Sequence, residues 1–265
     1  MTKTEIDYVT PQWSAPFHVQ ALTTLRLGGY SQGDYQGLNL ADHVGDDFAR
    51  VTKNRSLIRS SIRYPADPYW LEQVHGSRVV QLDDSDISRV ADGSISRSRG
   101  VVCAVLSADC VPLFITDKSG QFVALLHVGW RGLEAGIVES GLGLIPEPMA
   151  EVLTWIGPAI GPTVYEVGDD VRGRLLRACR DHYSKFTETE TGWLADLPGM
   201  VEQRLRRAGV ESVGSSGLCT FSAPCNWFSH RRSAPCGRMA SVSYTHLRAH
   251  ETDSYRVCRL LLEKK

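Results

Sequence analysis

The sequence predicts a single α/β domain with a mixed β-sheet and flanking helices. Two observations predict this class. Short apolar runs typical of strands alternate along the chain with longer segments whose apolar residues recur at helical spacing. No repeat, low-complexity tract or long linker divides residues 1–240. With 265 residues, 42% of them hydrophobic, the chain is also long enough to bury a large core.

The predicted strands are apolar runs that end at glycine, proline or a polar turn. They are Thr23–Ser31, Trp70–Leu82, Gly100–Leu106, Val111–Thr116, Phe122–His127, Glu151–Ile156 and Val213–Thr220. Pro112 lies inside the fourth of these runs. Because proline has no N–H to donate to a sheet, it predicts an edge position or a bulge for that strand.

Four helices are predicted from apolar spacing and from capping residues. They are Asp46–Arg63, Leu133–Leu144, a segment capped by Asp169 or Asp170 that runs to about Arg180, and one capped by Asp196 that runs through Ala208. Between the first and second helices lie most of the predicted strands. This interleaving favours one mixed α/β unit over two separate domains.

Composition excludes several function classes. The net charge of −1 gives no basic excess for a general nucleic-acid binder. The longest apolar stretches are too short to span a bilayer, and residues 1–7 lack the apolar core of a signal peptide, so we expect a cytoplasmic protein. Seven cysteines without a CxxC pair disfavour a disulfide framework or a zinc finger and favour reduced thiols.

Two histidines and one cysteine form the most prominent chemical pattern. His75, Cys110 and His127 each stand where an apolar run gives way to glycine or a polar turn, with separations of 35 and 17 residues. A thiolate and two imidazoles suit zinc, or copper in a softer site, with one position left open. The same residues fit a Cys–His nucleophilic site, or two hydrogen-bonded histidines and an inert thiol. Spacing alone does not separate these interpretations.

Charged residues near these motifs are candidates for substrate contact. Asp109 is placed to orient a histidine or hold a substrate hydroxyl, or else to close an Asx turn. Arg131, in a turn that enters a helix, is placed to receive an anion, or else lies over the adjacent tryptophan. The pair Arg231 and Arg232 and the isolated Arg26 are further phosphate candidates, with a solvated loop as the plain alternative for the pair.

A segment rich in glycine and proline follows the strand that ends at Ile156. It contains Gly157-Pro158-Ala159-Ile160-Gly161-Pro162 and then Tyr165-Glu166-Val167-Gly168. Proline fixes φ and glycine permits positive φ, so the segment predicts a rigid loop. We interpret it as the wall of a pocket with a structural role.

Several motifs in a fixed order identify the chain as similar to a known family. They are Leu38–Leu40, His43–Asp47, Trp70–Gly76, Ser107–Cys110, His127–Gly132, Gly157–Pro162 and Gly237–Ser241. Together they resemble the multicopper polyphenol oxidase (laccase) domain family, also called the YfiH or peptidoglycan-editing-factor family. The resemblance covers about residues 10–241.

The resemblance implies a single α/β domain similar to the catalytic domain of cytotoxic necrotizing factor toxins. It implies a metal site made by His75, Cys110 and His127, with zinc expected and copper as the alternative. The implied activity is purine nucleoside phosphorolysis of adenosine, inosine, guanosine and methylthioadenosine to the base and ribose 1-phosphate, with metal-dependent adenosine deamination. The alternatives are a copper-dependent polyphenol oxidase (laccase) and a Cys–His hydrolase that edits peptidoglycan precursors.

Under this interpretation each site residue has an expected role. Asp109, Cys110 and His127 are catalytic, and the residues expected to bind substrate or phosphate are Gln73, Arg131, Arg26, Arg231 and Arg232. We expect small-molecule partners, namely purine nucleosides and phosphate, with no nucleic acid and no membrane. The expected state is a monomer or a weak homo-oligomer.

The last 24 residues depart from both the pattern and the family. From Val242 onward the chain carries five Lys or Arg and three Asp or Glu, without strand alternation, and resembles translated sequencing-adapter or vector sequence. We therefore predict a domain over residues 1–241 and a foreign tail over 242–265, produced by a frameshift or an assembly error. The family's closing apolar strand after Ser241 would then be lost, which exposes a sheet edge. Sequencing an independently amplified clone tests this, because a natural reading frame through Lys265 would contradict it.

Overall fold

A computed structural model describes residues 6–85 and 87–246. Its strands are β1 Tyr8–Val9, β2 Val19–Thr24, β3 Tyr69–Trp70, β4 Val79–Gln81, β5 Gly93–Ser96, β6 Val102–Ser107, β7 Val111–Asp117, β8 Val123–Val128, β9 Val152–Ile156, β10 Glu166–Val167, β11 Phe186–Thr189, β12 Gly192–Ala195, β13 Ser212–Ser215 and β14 Met239–Thr245. Its α-helices are α1 Phe48–Ile62, α2 Trp130–Glu134, α3 Ile137–Leu142, α4 Asp169–Ala178 and α5 Leu197–Arg207. None of the helices in the described ranges has the length and apolar character that crossing a bilayer requires.

The strands form two large mixed sheets and one small one. The larger sheet has the order β13-β9-β7-β8-β5-β4 and the second has β1-β2-β14-β6-β3, while β10-β12-β11 make a separate antiparallel sheet. Three pairs run parallel, namely β4 with β5, β9 with β13 and β3 with β6; the other pairs are antiparallel. The predicted α/β class is confirmed, with three sheets where one was expected.

The two large sheets pack face to face between helical layers. Phe114 of β7 shares a buried cluster with Cys103 and Val105 of β6, which makes the inter-sheet core. The opposite face of β7 packs its leucine and isoleucine against α2–α5. On the far side of the second sheet, Leu22 and Ile58 belong to a core formed with α1. Because both faces of the central strands are buried, their sequences are continuous apolar runs rather than alternating ones.

Strand β7 lies at the centre of the larger sheet, so the edge position predicted from Pro112 is wrong. Within a strand, the nitrogen and carbonyl of one residue point to the same side. The Pro112 carbonyl accepts a 2.9 Å hydrogen bond from the Gly157 amide, just past the end of β9, whose ladder with β7 begins at Leu113. The nitrogen of Pro112 therefore points to a position where β9 has already ended. Its lack of a hydrogen removes no hydrogen bond between the two strands.

Other predicted elements are shortened or divided. The predicted strand Trp70–Leu82 is two strands, β3 and β4, in different sheets, with the His75 loop between them. The predicted helix Leu133–Leu144 is broken at Gly136, whose φ of 86° separates α2 from α3. The helix caps are mixed in outcome: Asp196 accepts from the Gly199 amide as predicted, whereas α4 is capped by Gly168 rather than by an aspartate.

The last described strand continues past the predicted domain boundary. In β14, residues 242–245 pair with β2 and β6, and Val242 and Tyr244 are buried. The strand that we expected to be lost after Ser241 is therefore present, and it lies inside the sheet where no edge is exposed. Residues 247–265 lie outside the described residues, so a foreign origin for that segment stays a prediction.

Candidate metal centre

Three separate parts of the chain bring their ligand-type side chains to one point. His75 lies in the loop between β3 and β4, Cys110 in the turn between β6 and β7, and His127 within β8. Their donor atoms all lie within 4.8 Å of one another, and the two imidazole centroids are 4.9 Å apart. In the described ranges no other group of three or more His, Cys, Asp or Glu residues gathers in this way. The structure thus joins the three residues that the sequence singled out.

Unusual backbone geometry makes this approach possible. His75 and Asp109 have φ values of 59° and 97°, which non-glycine residues adopt rarely and at a cost of about 1 kcal/mol or more. Gly129 lies directly against the trio. A Cβ atom there would stand 2.9 Å from the Cys110 sulfur and 3.1 Å from the His75 ring, so any larger residue would displace the sulfur. The site is therefore shaped closely around its donor atoms.

Asp92 is the site residue that sequence reasoning missed. Its side chain is fully buried and accepts hydrogen bonds from the backbone amides of Val74, His75 and Gly76 at 3.2, 2.9 and 2.6 Å. It also bonds the His127 Nδ1 at 3.0 Å. One carboxylate thus holds the His75 loop and orients the second histidine. The signal in the sequence was faint, a lone aspartate between alanine and glycine just before a short strand.

Hydrogen bonding and charge set the protonation of the trio. A carboxylate only accepts, so the Asp92 bond places the His127 proton on Nδ1 and leaves Nε2 to face Cys110. Burial raises the pKa of Cys110, but His127 and His75 outweigh it and bring the thiol pKa below its ordinary value. Burial likewise raises the pKa of Asp92, and the hydrogen bonds from His127 and Gly76 reverse the shift. Cys110 is therefore poised as a thiolate, the form that binds metal.

The donor set fits a zinc ion. One thiolate and two imidazoles, with the second histidine oriented by a buried carboxylate, are the ligands and the outer support that catalytic zinc sites use. The absent Cβ at Gly129 leaves room for the sulfur and the imidazole of His75 to converge. His75 is exposed and His127 buried, so one side of the centre opens to solvent. Copper is compatible with the same three donors.

Asp109 ties loops together beside this centre. Its two carboxylate oxygens accept from the Thr220 hydroxyl at 2.6 Å and from the Arg231 amide at 2.7 Å. Its carbonyl accepts from the Ile160 amide at 2.9 Å. Asp109 therefore joins the Cys110 turn to the glycine-proline loop and to the two later loops. A catalytic role for its carboxylate stays a prediction.

Three of the expected substrate-binding residues bond backbone groups. Gln73 pairs its amide with the carbonyl and N–H of Leu106 at 2.8 and 2.7 Å, which fixes the His75 loop onto β6. The Arg26 guanidinium bonds the carbonyls of Pro224 and Gln36. Arg232 bonds carbonyls of the same region, namely those of Thr220, Phe221 and Trp227. These contacts support a structural role, and phosphate binding by the three stays a prediction.

The other two arginines expected to bind phosphate are exposed, and each lies over an aromatic ring. Arg131 is exposed, with its guanidinium 4.4 Å above the Trp130 ring. Arg231 is exposed too, with its guanidinium 5.0 Å from the centre of the Tyr165 ring and one nitrogen bonded to the Glu166 carbonyl at 2.7 Å. The charge of Cys110 raises the pKa of the Tyr165 hydroxyl, and the charges of Arg231 and Arg131 lower it. Of the two arginines, Arg231 is the one that lies over the tyrosine ring.

The family model described as multi-copper polyphenol oxidoreductase laccase matches residues 20–246. A purine nucleoside phosphorylase from Pseudomonas aeruginosa is 42% identical over 237 residues, which cover 89% of this chain and 97% of the relative. The chain belongs to this laccase-domain family. Purine nucleoside phosphorylase YfiH from Escherichia coli is another similar family member, 39% identical over 88% of this chain and 96% of its own length.

Solved structures of two similar proteins have the same fold. A crystal structure of a Neisseria meningitidis protein matches with a TM-score of 0.84 at 36% identity, over 90% of this chain and 99% of that one. The crystal structure of YlmD from Geobacillus stearothermophilus matches with a TM-score of 0.79 at 29% identity, over 91% and 100%. The family match ends at residue 246, one residue after β14, in agreement with a strand that continues past Ser241.

Proposed function

We propose that this protein is a purine nucleoside phosphorylase that acts at the His75–Cys110–His127 centre. The observation that carries the proposal is the convergence of His75, Cys110 and His127 on one centre, in which the Cys110 turn is tied through Asp109 to the backbone of Arg231. The names of the similar proteins in Pseudomonas and Escherichia support the same reaction. The substrates are free purine nucleosides and inorganic phosphate, and we propose that the enzyme acts in the cytoplasm as a monomer or a weak homo-oligomer.

In this reaction a phosphate oxygen forms a bond to ribose C1′ while the C1′–N9 bond breaks. The bonding electrons leave with the purine, which takes up one proton, and the sugar leaves as ribose 1-phosphate. In this proposal Arg131 and Arg231 bind the phosphate and neutralise its charge as it approaches the electron-poor C1′. Fixing the two reactants beside each other supplies much of the rate enhancement.

His75, Cys110 and His127 would hold a zinc ion, with copper as the alternative. When bound, zinc supplies a Lewis acid and makes water acidic near neutral pH. This chemistry supports the second activity that we propose, the hydrolytic removal of the amino group at adenine C6. Asp92 keeps His127 in the tautomer that presents Nε2, and Asp109 keeps the Cys110 turn and the Arg231 loop in register.

The experiment is incubation of the purified protein with adenosine or inosine, with and without phosphate, followed by chromatography of the products. We expect release of adenine or hypoxanthine together with ribose 1-phosphate only when phosphate is present. Inosine formed from adenosine in the absence of phosphate would report the deaminase activity. Failure to release any base, together with copper-dependent oxidation of a phenol, would overturn the proposal.

One observation favours a different candidate, a Cys–His hydrolase. Cys110, His127 and Asp92 are arranged as a nucleophile, a base and an orienting carboxylate. Chelation separates the two candidates, because a hydrolase of this type keeps its activity after complete metal removal. For phenol oxidation by a multicopper cluster, the described residues supply only one group of three donors. Phenol oxidation is therefore supported only by the description of the family.

A further inference from the structure

The glycine-proline loop carries a tyrosine whose hydroxyl has no partner in the described residues. The Tyr165 side chain is 8% exposed and packs in the core beneath the helices α2 and α4. Its backbone is fixed, because its carbonyl accepts a 2.9 Å hydrogen bond from the Ala195 amide. The Tyr165 oxygen is not among the buried side-chain oxygens of the described residues that lack a partner, so it is accessible from solvent. An unpaired hydroxyl on a fixed ring is free to bond a ligand.

The surroundings of this hydroxyl are those of an anion site. The Arg231 guanidinium lies over the ring at 5.0 Å and is anchored through the Glu166 carbonyl. The Arg231 amide is held by Asp109, the neighbour of Cys110 in its turn. The charge of Arg131 lowers the pKa of the hydroxyl as well. The Tyr165 ring therefore lies against an arginine whose backbone is tied to the Cys110 turn.

We infer that the Tyr165 hydroxyl donates a hydrogen bond to the phosphate held by Arg131 and Arg231, and so completes the phosphate subsite of the enzyme. A protonated tyrosine and two guanidinium groups offer only hydrogen-bond donors. They match a tetrahedral oxyanion, which only accepts, better than a purine ring, which also has donors of its own. The same subsite holds inorganic phosphate in one direction and the phosphoryl group of ribose 1-phosphate in the other. This inference rests on the proposed phosphorylase function.

The tyrosine stays a donor at neutral pH. Burial raises the pKa of Tyr165, and the charges of Cys110 and Asp109 raise it too, while Arg231 and Arg131 lower it without reversing the shift. The approach of a phosphate dianion adds another negative charge and acts in the same direction. The loop that the sequence marked as purely structural therefore carries a substrate contact.

The test is Tyr165→Phe, which removes only an oxygen that is unpaired within residues 6–85 and 87–246 and keeps the packing of the ring. We expect the KM for phosphate to rise about tenfold or more, since a hydrogen bond to a charged group is lost. The KM for inosine and the zinc content should change by less than about twofold. Calorimetric titration of the zinc-loaded protein with inorganic phosphate should show the same loss of affinity without any turnover.

Tyr183→Phe is the matched control, because this tyrosine is 69% exposed and lies on the segment after α4. It should leave the phosphate KM and the calorimetric affinity unchanged. The inference would be overturned if Tyr165→Phe, shown to be folded by its Tm, bound phosphate as tightly as the unsubstituted protein. The proposed function would still hold in that case, provided that the unsubstituted enzyme is active. If the unsubstituted protein released no base, the proposed function would fail, and the calorimetric comparison would still decide the inference.

Discussion

Two buried histidines in this molecule have opposite environments. His127 of β8 and His182, in the turn after α4, are 3% and 0% exposed, and each bonds a polar side chain through Nδ1 at 3.0 Å. The partner of His127 is the Asp92 carboxylate, and its other nitrogen faces a thiol. The partner of His182 is the Gln203 amide oxygen, and its Nε2 accepts a 3.1 Å hydrogen bond from Arg204.

The partners decide what each imidazole is able to do. Burial lowers the pKa of both rings. At His127 the Cys110 and Asp92 charges overcome this effect and raise the pKa, whereas at His182 the Arg204 charge adds to it and the pKa is lowered. His182 is thus held neutral with both nitrogens occupied. Burial does not mark a histidine as functional; an acidic partner on one ring nitrogen and a thiolate beside the other do.

We expect the largest effect from removal of the Asp92 charge, because this charge distinguishes the surroundings of His127 from those of His182. In Asp92→Asn, an NH₂ group replaces one of the two carboxylate oxygens and faces two of the four hydrogen-bond donors, because each oxygen accepts from two of them. We expect zinc affinity to fall about 10- to 100-fold, because the orientation of His127 and the His75 loop is lost together. Competition with a chromophoric chelator measures the affinity, and metal analysis after dialysis gives the occupancy.

Asp117→Asn is the matched control for that change. Asp117 is also buried and accepts from the amides of Ser119 and Gln121, but it is the last residue of β7, where the chain enters the turn to β8. Both substitutions should lower the free energy of unfolding of the metal-free protein by about 1–3 kcal/mol. Only Asp92→Asn should lower the zinc affinity. Equal zinc affinities in the two variants would show that Asp92 is structural and that the contrast with His182 has no functional content.

A smaller effect is expected when the donor atoms are pushed apart with the hydrogen bonds left intact. In Gly129→Ala the new Cβ would stand 2.9 Å from the Cys110 sulfur, so the sulfur has to move. We expect zinc affinity to fall about tenfold, the equivalent of about 1.4 kcal/mol and the lower range for overpacking. Gly76→Ala is the control, since its Cβ would meet the Asp92 carboxylate at an ordinary 3.5 Å. Loss of affinity in Gly76→Ala but not in Gly129→Ala would contradict this account.

The sequence predicted the members of the site better than their support. His75, Cys110 and His127 were identifiable because each ends an apolar run, and the ordered motifs joined them. Asp92 was not, because its four hydrogen bonds come from loops and strands that only the fold brings together. A lone aspartate before a four-residue strand carries no periodic signal.

Errors in the fold have a similar origin. The interior of the sandwich makes central strands uniformly apolar, so β6, β7 and β8 were found, while β5, with a single large apolar residue, was not. Pro112 misled because its missing donor matters only where a neighbouring strand continues, which depends on where β9 ends. The separation of Trp70–Leu82 into two sheets likewise depends on tertiary pairing that no local pattern contains.

The smallest effect that we predict is the contribution of His182 to the pH dependence of the free energy of unfolding. Its folded-state pKa lies below the ordinary value of 6.5, so between these two values the unfolded chain binds more protons than the folded one. Above pH 6.5, His182 therefore does not lower the free energy of unfolding. As the pH falls from 6.5 to the folded-state pKa, the free energy of unfolding decreases by at most about 1.4 kcal/mol per pH unit. The raised pKa of His127 has the opposite effect in the metal-free protein, because it makes the free energy of unfolding decrease as the pH rises above 6.5.

His182→Gln isolates the contribution, because a neutral amide is able to accept from Arg204 at every pH. Urea unfolding of both proteins from pH 5 to pH 8 gives the difference in stability, from which the carboxylates common to both cancel. We expect the difference to be constant above pH 6.5 and to shift in favour of His182→Gln as the pH falls. A shift in favour of the unsubstituted protein at low pH would mean that His182 is charged in the fold, and the two histidines would then differ in position and not in chemistry.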